Sequence, residues 1–113
     1  MHEMSLCESL VDVIEDSARR ERFTRVRRIR LEVGRFAGVE LSAMRFGFDA
    51  VTRGTVAEGA ELEILEVPGA AWCFDCSDTV GLGGRLDPCP RCGGGRLQPS
   101  GGMEIRIRDM EVV

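Results

Sequence analysis

The sequence predicts an α+β protein in which two helices lie on a three-stranded antiparallel sheet, with a small cysteine-rich lobe inserted between the last two strands. Three observations lead to this class. Apolar residues recur at helical spacing in two segments and alternate with charged residues in three others. The segment 69–101 is rich in Gly, Pro and Cys and carries two Cys-x-x-Cys pairs. A chain of 113 residues is long enough for one small core with such a lobe attached.

The first two elements are a helix and a strand. Ser5 followed three residues later by Glu8 fits a capping box, and apolar residues then recur at helical spacing, which predicts a helix over residues 4–20. Acidic side chains lie early in this segment and arginines late, as the helix dipole favours. Residues 26–33 alternate apolar and charged side chains and predict a half-buried strand.

The remaining elements surround the lobe. Apolar residues line one side of a second helix that begins near Leu41, with Gly54 at its C-terminal cap. Residues 61–67 and 103–108 alternate as strands do, and because they flank the lobe we expect them to pair antiparallel with each other. The expected domains are therefore 1–68 plus 102–113, which form an α+β body, and 69–101, which form the lobe.

Composition excludes several kinds of chemistry. All 15 basic residues are arginine and there is no tyrosine, so lysine Schiff-base and tyrosine acid–base catalysis are excluded. The one histidine is His2, which rules out an all-histidine metal site. The net charge of −4 argues against nucleic-acid binding through overall charge. No signal peptide or membrane-spanning run is evident, so we expect a cytoplasmic protein with reduced thiols and no membrane partner.

Four of the five cysteines form an array with metal-ligand spacing: Cys73, Cys76, Cys89 and Cys92. Each Cys-x-x-Cys turn can present two sulfurs to one ion, and two such turns complete the tetrahedron that structural Zn²⁺ requires. The lobe is therefore expected to be a zinc ribbon or rubredoxin-like, held by the metal rather than by a core. A redox dithiol or a pair of disulfides is the alternative. Cys7 lies within the first predicted helix and is expected to be a core residue.

His2 has two interpretations. A histidine at this position is most simply an exposed terminal residue without a role. Alternatively, the Met1 amine, the His2 backbone nitrogen and the His2 imidazole can chelate one ion in a nitrogen-rich set that suits Ni²⁺ or Cu²⁺. Glu3 could add a backbone nitrogen or a carboxylate. Such an open site would bind and release a metal, which fits transport better than catalysis.

A run of arginines between residues 19 and 30 also has more than one interpretation, a protein-docking face among them. It could be a nucleic-acid patch, which makes a zinc-ribbon nucleic-acid-binding module the alternative function. No aromatic stacking residues are interleaved with the arginines, and helical and strand spacing scatter them over different faces. The favoured interpretation is a helix end followed by the polar face of a strand.

Several motifs, taken in order, closely resemble the HypA/HybF family of hydrogenase maturation proteins. They are Met1-His2-Glu3-Met4-Ser5, the Arg-x-Arg strand ending in Val33-Gly34, Val39-Glu40 leading to Arg45-Phe46-x-Phe48, Thr52-Arg53-Gly54-Thr55, Glu61-Leu62 and the two Cys-x-x-Cys pairs. The resemblance spans essentially the whole chain. It implies a nickel metallochaperone, not an enzyme, that supplies Ni²⁺ to [NiFe]-hydrogenase and in some organisms to urease.

The resemblance also implies partners and site residues. The partners are a HypB-type GTPase and the hydrogenase large-subunit precursor. Nickel would be held by Met1, His2 and Glu3, with Glu40 as a nearby acidic residue, and structural zinc by the four cysteines. Two departures from the family are present: the lobe contains no histidine, and Ser77 follows the first cysteine pair.

Overall fold

The structure is a computed structural model that describes residues 2–113. Its elements are helix α1 (His2–Glu21), strand β1 (Val26–Gly34), helix α2 (Leu41–Val51) and strands β2 (Glu61–Val67), β3 (Gly69–Cys73), β4 (Asp78–Leu82), β5 (Leu97–Gly101) and β6 (Ile105–Val112). The strands form two three-stranded sheets, with the orders β2-β1-β6 and β4-β3-β5. The predicted α+β class with two helices and a cysteine-containing lobe is confirmed.

Helix α1 begins two residues before the predicted start. It includes His2 and Glu3, so Ser5 lies inside the helix rather than at its N-cap. Glu3 is the acidic residue of the first turn, where a negative charge interacts favourably with the helix dipole. Cys7 is fully buried on the inner face and its thiol donates a hydrogen bond to the Met44 carbonyl of α2, which confirms it as a core residue.

Strand β1 is the centre of the first sheet, which corrects the expected pairing of the two strands that flank the lobe. Those strands, β2 and β6, lie on opposite sides of β1 and do not pair with each other. Ile29, Leu31 and Val33 of β1 are almost completely buried. The central strand of this sheet has the most buried apolar side chains, and both of its edges are hydrogen-bonded.

The first sheet is mixed rather than wholly antiparallel. Strands β1 and β2 run parallel, because Arg28 near the start of β1 pairs with Glu61 at the start of β2, and the Arg35 N–H just after β1 donates to the carbonyl of Val67 at the end of β2. β1 and β6 run antiparallel, because the Gly34 N–H donates to Glu104 and the Val113 N–H donates to Arg25 near the other end. Helix α2 lies between β1 and β2 in the chain and supplies the crossover that a parallel pair needs.

The cysteine-rich segment contains a small sheet of its own. β3 pairs antiparallel with both β4 and β5. The expectation that only a metal holds this segment is wrong, because it has a compact apolar cluster formed by Phe36, Ala71, Cys73, Val80, Leu82 and Cys89. Phe36 comes from the loop after β1, so composition within 69–101 alone could not reveal the complete cluster.

The chain forms two compact units. One contains residues 1–30, 39–63 and 107–113, and the other contains residues 31–38 and 64–106. The first unit holds both helices, and the second holds the small sheet with its four cysteines. The division into 1–68 plus 102–113 and 69–101 stays a prediction. Among residues 2–113 neither helix has the combination of length and apolar character needed to span a membrane.

Three glycines meet closely within the second unit. A Cβ added to Gly34 would lie 2.0 Å from the Gly102 carbonyl oxygen, and one added to Gly69 would lie 2.3 Å from the Phe36 ring. Gly102 has φ +79°, and a Cβ added to it would lie 2.6 Å from the Pro68 carbonyl oxygen. The Phe36 N–H donates to the Gly102 carbonyl at 2.7 Å. Only residues without a side chain let these backbone segments approach so closely.

Candidate metal sites

The two Cys-x-x-Cys turns bring four sulfurs together in the second unit. Cys73 ends β3 and Cys76 lies in the turn before β4, whereas Cys89 and Cys92 lie between β4 and β5. All four Sγ atoms lie within 4.8 Å of one another. The Cys73–Cys92 and Cys76–Cys89 sulfur separations are 3.7 Å and 3.9 Å. Zn–S bonds of about 2.3 Å in a regular tetrahedron require sulfur separations of about 3.8 Å, so this site fits zinc.

Backbone N–H groups point at these sulfurs. Cys73 accepts from the Cys76 N–H, Cys89 from the Arg91 N–H and Cys92 from the Gly94 N–H, each at 3.4 Å. The backbone N–H groups of Cys92 and Arg91 lower the pKa of the Cys89 thiol to about 6. Donors aimed at sulfur stabilise the thiolate, which is the form that binds a metal. The pKa of the Cys76 thiol is instead raised to about 12, because it hydrogen-bonds to the Cys92 sulfur and is partly desolvated. The support for metal binding is therefore the geometry of the turns, which aim backbone N–H groups at three of the four sulfurs.

Arg91 contributes positive charge next to this cluster. Its guanidinium donates to Asp78 at 2.8 Å. Asp78, and after it the sulfurs of Cys76 and Cys89, raise the pKa of Arg91. Four thiolates around Zn²⁺ carry a net negative charge, and a permanently charged arginine nearby partly compensates it.

In each cysteine turn, the residue that follows the second cysteine has a positive φ, but the residue type differs between the two turns. Ser77 follows Cys76 with φ 52°, and Gly93 follows Cys92 with φ 74°. Glycine adopts this left-handed conformation freely, whereas an ordinary side chain costs about 1–2 kcal/mol there. Ser77, which the sequence singled out as unusual, is therefore a strained position.

Replacing Ser77 with Gly is expected to stabilise the metal-loaded lobe by about 0.5–1 kcal/mol, because relief of strain exceeds the entropy gained by the unfolded chain. Competition with a zinc chelator would show tighter zinc retention, by up to about five-fold. Gly93→Ala is the matched reverse change, since its Cβ meets no atom within 4 Å and only the φ of 74° opposes it. Looser zinc retention in Ser77→Gly than in the native chain would contradict this prediction.

The N-terminal candidate residues lie in the first unit, at the start of α1. Met1 lies outside the described residues. His2 is exposed, and it borders a shallow depression with Ser5, Leu6 and Ser9. The Glu3 carboxylate accepts a hydrogen bond from the Glu40 N–H at 3.2 Å. The structure thus brings Glu3 to Glu40, two residues that are 37 positions apart.

Glu40 has a structural role that the sequence did not reveal. Its carboxylate caps α2, accepting from the Ala43 N–H at 2.6 Å and from the Ser42 hydroxyl at 2.7 Å. The Ser42 hydroxyl and then the Ala43 N–H lower the pKa of Glu40, and the Glu40 N–H lowers the pKa of Glu3. Both carboxylates therefore remain ionised at neutral pH. Glutamate is not among the residues that usually signal an N-cap, so the sequence carried no clear sign of this role.

Two of the three arginines of β1, Arg28 and Arg30, lie in ion pairs. Arg28 pairs with Glu61 at 3.0 Å, Arg30 pairs with Asp109, and Glu32 of the same strand pairs with Arg106 at 2.7 Å. At the end of α1, Arg20 pairs with Asp16 at 2.9 Å. Arginines neutralised by neighbouring carboxylates offer a phosphate backbone little free positive charge. This arrangement favours the interpretation of these residues as the polar face of a strand.

The family model and the curated relatives that match this chain agree with each other. The chain matches, over residues 1–112, a family model described as HypA, hydrogenase/urease nickel incorporation, metallochaperone. It is 65% identical to a hydrogenase maturation factor HypA from Beijerinckia indica and 58% identical to one from Xanthobacter autotrophicus, in each case over the full length of both chains. The solution structure of the Ni metallochaperone HypA from Helicobacter pylori matches with a TM-score of 0.70 at 21% identity, over 98% of this chain and 97% of that one. At that identity the likeness shows the fold.

Proposed function

The chain belongs to the HypA family of nickel metallochaperones that act in hydrogenase maturation, and from this premise we propose that it carries Ni²⁺ on its N-terminus. The proposed ligands are the Met1 amine, the His2 backbone nitrogen and imidazole, and Glu3, with Glu40 alongside. The first four N–H groups of an α-helix have no partner within the helix, so those of His2 and Glu3 can serve the metal.

The observation that carries the proposal is the hydrogen bond from the Glu40 N–H to the Glu3 carboxylate. It holds the start of α1 against the start of α2 and places two ionised carboxylates near His2. Nickel bound in such an exposed site remains accessible to a recipient. A closed four-thiolate cage would instead hold its metal tightly, which suits structural zinc at Cys73, Cys76, Cys89 and Cys92.

The recipient and partners follow from the family. We propose delivery of Ni²⁺ to a hydrogenase large-subunit precursor in the cytoplasm, with a HypB-type GTPase as the partner that controls the transfer. Urease is a second recipient to test, because the family model names both enzymes. No catalytic step is assigned to any residue of this chain.

Titration with Ni²⁺ tests the nickel site. Native protein is expected to bind one transferable Ni²⁺ per chain, whereas His2→Ala and a version with residues added before Met1 should bind at least about 100-fold more weakly, because each loses a nitrogen ligand. Glu8→Ala, which removes an exposed acid further along α1, is the matched control and should bind like the native chain. Bound zinc should be equal in all four proteins. Equal nickel affinity in all of them would contradict the N-terminal site.

A further variant separates the two roles of Glu40. Serine is a good N-cap but supplies no carboxylate, so Glu40→Ser keeps α2 capped. If Glu40 contributes its charge to nickel, this variant binds Ni²⁺ more weakly at unchanged stability. Unchanged affinity would assign Glu40 to capping and to holding Glu3.

A further inference from the structure

Gly47 lies in the interior of helix α2 and is buried. A glycine at such a position destabilises a helix relative to alanine, because it makes no side-chain contact and gives the unfolded chain extra freedom. The other small nonpolar residues of the helix, Ala43 and Ala50, both carry a Cβ. The glycine is therefore explained by what packs against α2 at this position rather than by helix formation.

The first turns of α1 pack against Gly47. A Cβ added to Gly47 would lie 3.4 Å from the Cys7 Sγ, 3.7 Å from the Met4 Sδ and 3.8 Å from the Met4 Cα. All three atoms belong to α1, so the bare position of α2 faces that helix, including its backbone. These distances are ordinary van der Waals contacts, so the space beside Gly47 admits a methyl group but not a branched side chain.

This packing is continuous with a buried contact between the same two helices. The Cys7 thiol donates a hydrogen bond to the Met44 carbonyl at 3.3 Å, and both residues are fully buried. Met44 precedes Gly47 by three residues, so the two lie on the same side of α2. The helices are thus held together at Cys7 both by packing and by a hydrogen bond.

The packing also determines where the start of α1 lies. Glu3 directly precedes Met4, and its carboxylate accepts from the Glu40 N–H at 3.2 Å. A hydrogen bond is largely lost once its donor and acceptor separate beyond about 3.5 Å. Moving Met4 away from α2 would carry Glu3 away from Glu40 as well, because consecutive residues of a helix move together.

We propose that Gly47 is a positioning residue of the nickel site. By omitting its side chain it lets the first turn of α1 lie against α2, and this sets the place of His2 and Glu3 relative to Glu40. The inference rests on the proposed function, because it takes Ni²⁺ to bind at the start of α1. Gly47 offers no ligand atom itself and acts through the position of Met4.

Gly47→Val tests the proposal by titration with Ni²⁺. Valine is stiff in a helix and cannot turn its methyl groups freely away from α1. It should weaken Ni²⁺ binding roughly ten-fold, as the loss of a group that orients metal ligands does. Gly47→Ala should bind like the native chain, because its Cβ fits. Ala50→Val introduces the same side chain at an exposed position of α2, and this matched control should also bind like the native chain.

Hydrogen exchange of the Glu40 amide tests the positioning without nickel. It is measured by NMR on the zinc-loaded, nickel-free full chain, in which the bond to Glu3 protects this amide. In Gly47→Val the amide should exchange about two- to ten-fold faster, which corresponds to the loss of one hydrogen bond. The Gly47→Ala and Ala50→Val chains should keep the native rate. Gly47→Ser, which adds a single atom beyond the Cβ, repeats the test with a smaller perturbation of folding.

A second substitution separates positioning from general loss of stability. Adding Cys7→Ala to Gly47→Val removes the atom nearest to the new side chain. The double variant should recover the native nickel affinity and Glu40 exchange rate while remaining less stable than the native chain. A merely structural role of Gly47 would make affinity follow stability instead.

Native Glu40 exchange or native nickel affinity in Gly47→Val would overturn the proposal, as would a double variant that still binds Ni²⁺ weakly. Nickel affinity that is unaffected by His2→Ala would instead overturn the proposed function. The two failures are distinguishable, because the exchange rate of the Glu40 amide is measured without nickel and reports the position of α1 in either case.

Discussion

Replacing Cys89 with Ala is expected to release zinc and to unfold the small sheet formed by β3, β4 and β5. The four sulfurs are arranged as one tetrahedral set, and three thiolates hold a structural zinc far less tightly than four. Zinc binding contributes about 10–16 kcal/mol to the folding of comparable small domains. The apolar cluster around Phe36, Ala71, Val80 and Leu82 is too small to replace that contribution.

Helix content should be largely retained in this variant, because α1 and α2 lie in the other compact unit. Zinc content, limited proteolysis and circular dichroism together would show the loss. Cys7→Ala is the matched control, since it removes a buried thiol away from the four-cysteine set and should keep its zinc at a cost of about 1 kcal/mol. A Cys89→Ala lobe that resists protease without zinc would refute the prediction.

Replacing Gly34 with Ala is expected to destabilise the protein by about 3 kcal/mol or more. The new Cβ would lie 2.0 Å from the Gly102 carbonyl oxygen and 2.8 Å from the Met103 nitrogen, and both are backbone atoms. A flexible side chain could move aside, but here the backbone itself must shift, which breaks the hydrogen bond from Phe36 to Gly102.

Thermal or denaturant unfolding would measure the loss. Gly95→Ala is the control, because a Cβ at Gly95 meets no atom within 4 Å and its φ lies outside the left-handed region. It should leave the free energy of unfolding within about 0.5 kcal/mol of the native value. Equal stability of the Gly34 and Gly95 variants would show that the backbone approach at Gly34 is unimportant.

The sequence predicted the elements whose pattern is strong. The helical spacing in α1 and α2 and the alternation in β1 and β2 located those elements, because burial of one face imposes a period on the chain. The expected cap at Gly54 is wrong, since α2 ends at Val51 and Thr52 is its C-cap, with its N–H donating to the Phe48 carbonyl. The four cysteines were predicted as one site because their spacing alone limits where the sulfurs can lie.

Other features depend on contacts that no local pattern contains. The central place of β1 follows from which strand gains most by having two neighbours, and the parallel pairing with β2 follows from the crossover through α2. The strands of the lobe are short and their sequences do not alternate apolar with charged residues, so composition indicated only a loop-rich segment. The cap that Glu40 forms and its bond to Glu3 join distant positions in the chain. The nickel ligands themselves stay a prediction.

Phe36 determines whether the cysteine lobe could be treated as a transferable module. Its ring belongs to the apolar cluster of the lobe, packs over Gly69 and lies 5.9 Å from the Arg85 guanidinium, although it lies far upstream of Gly69 in the chain. A fragment cut at residues 69 and 101 would lack this ring and would expose Ala71, Val80 and Leu82 to water. Grafting the lobe into another protein would therefore require the host to provide an aromatic side chain at the same place. The lobe is continuous in sequence but depends on an upstream residue for its core.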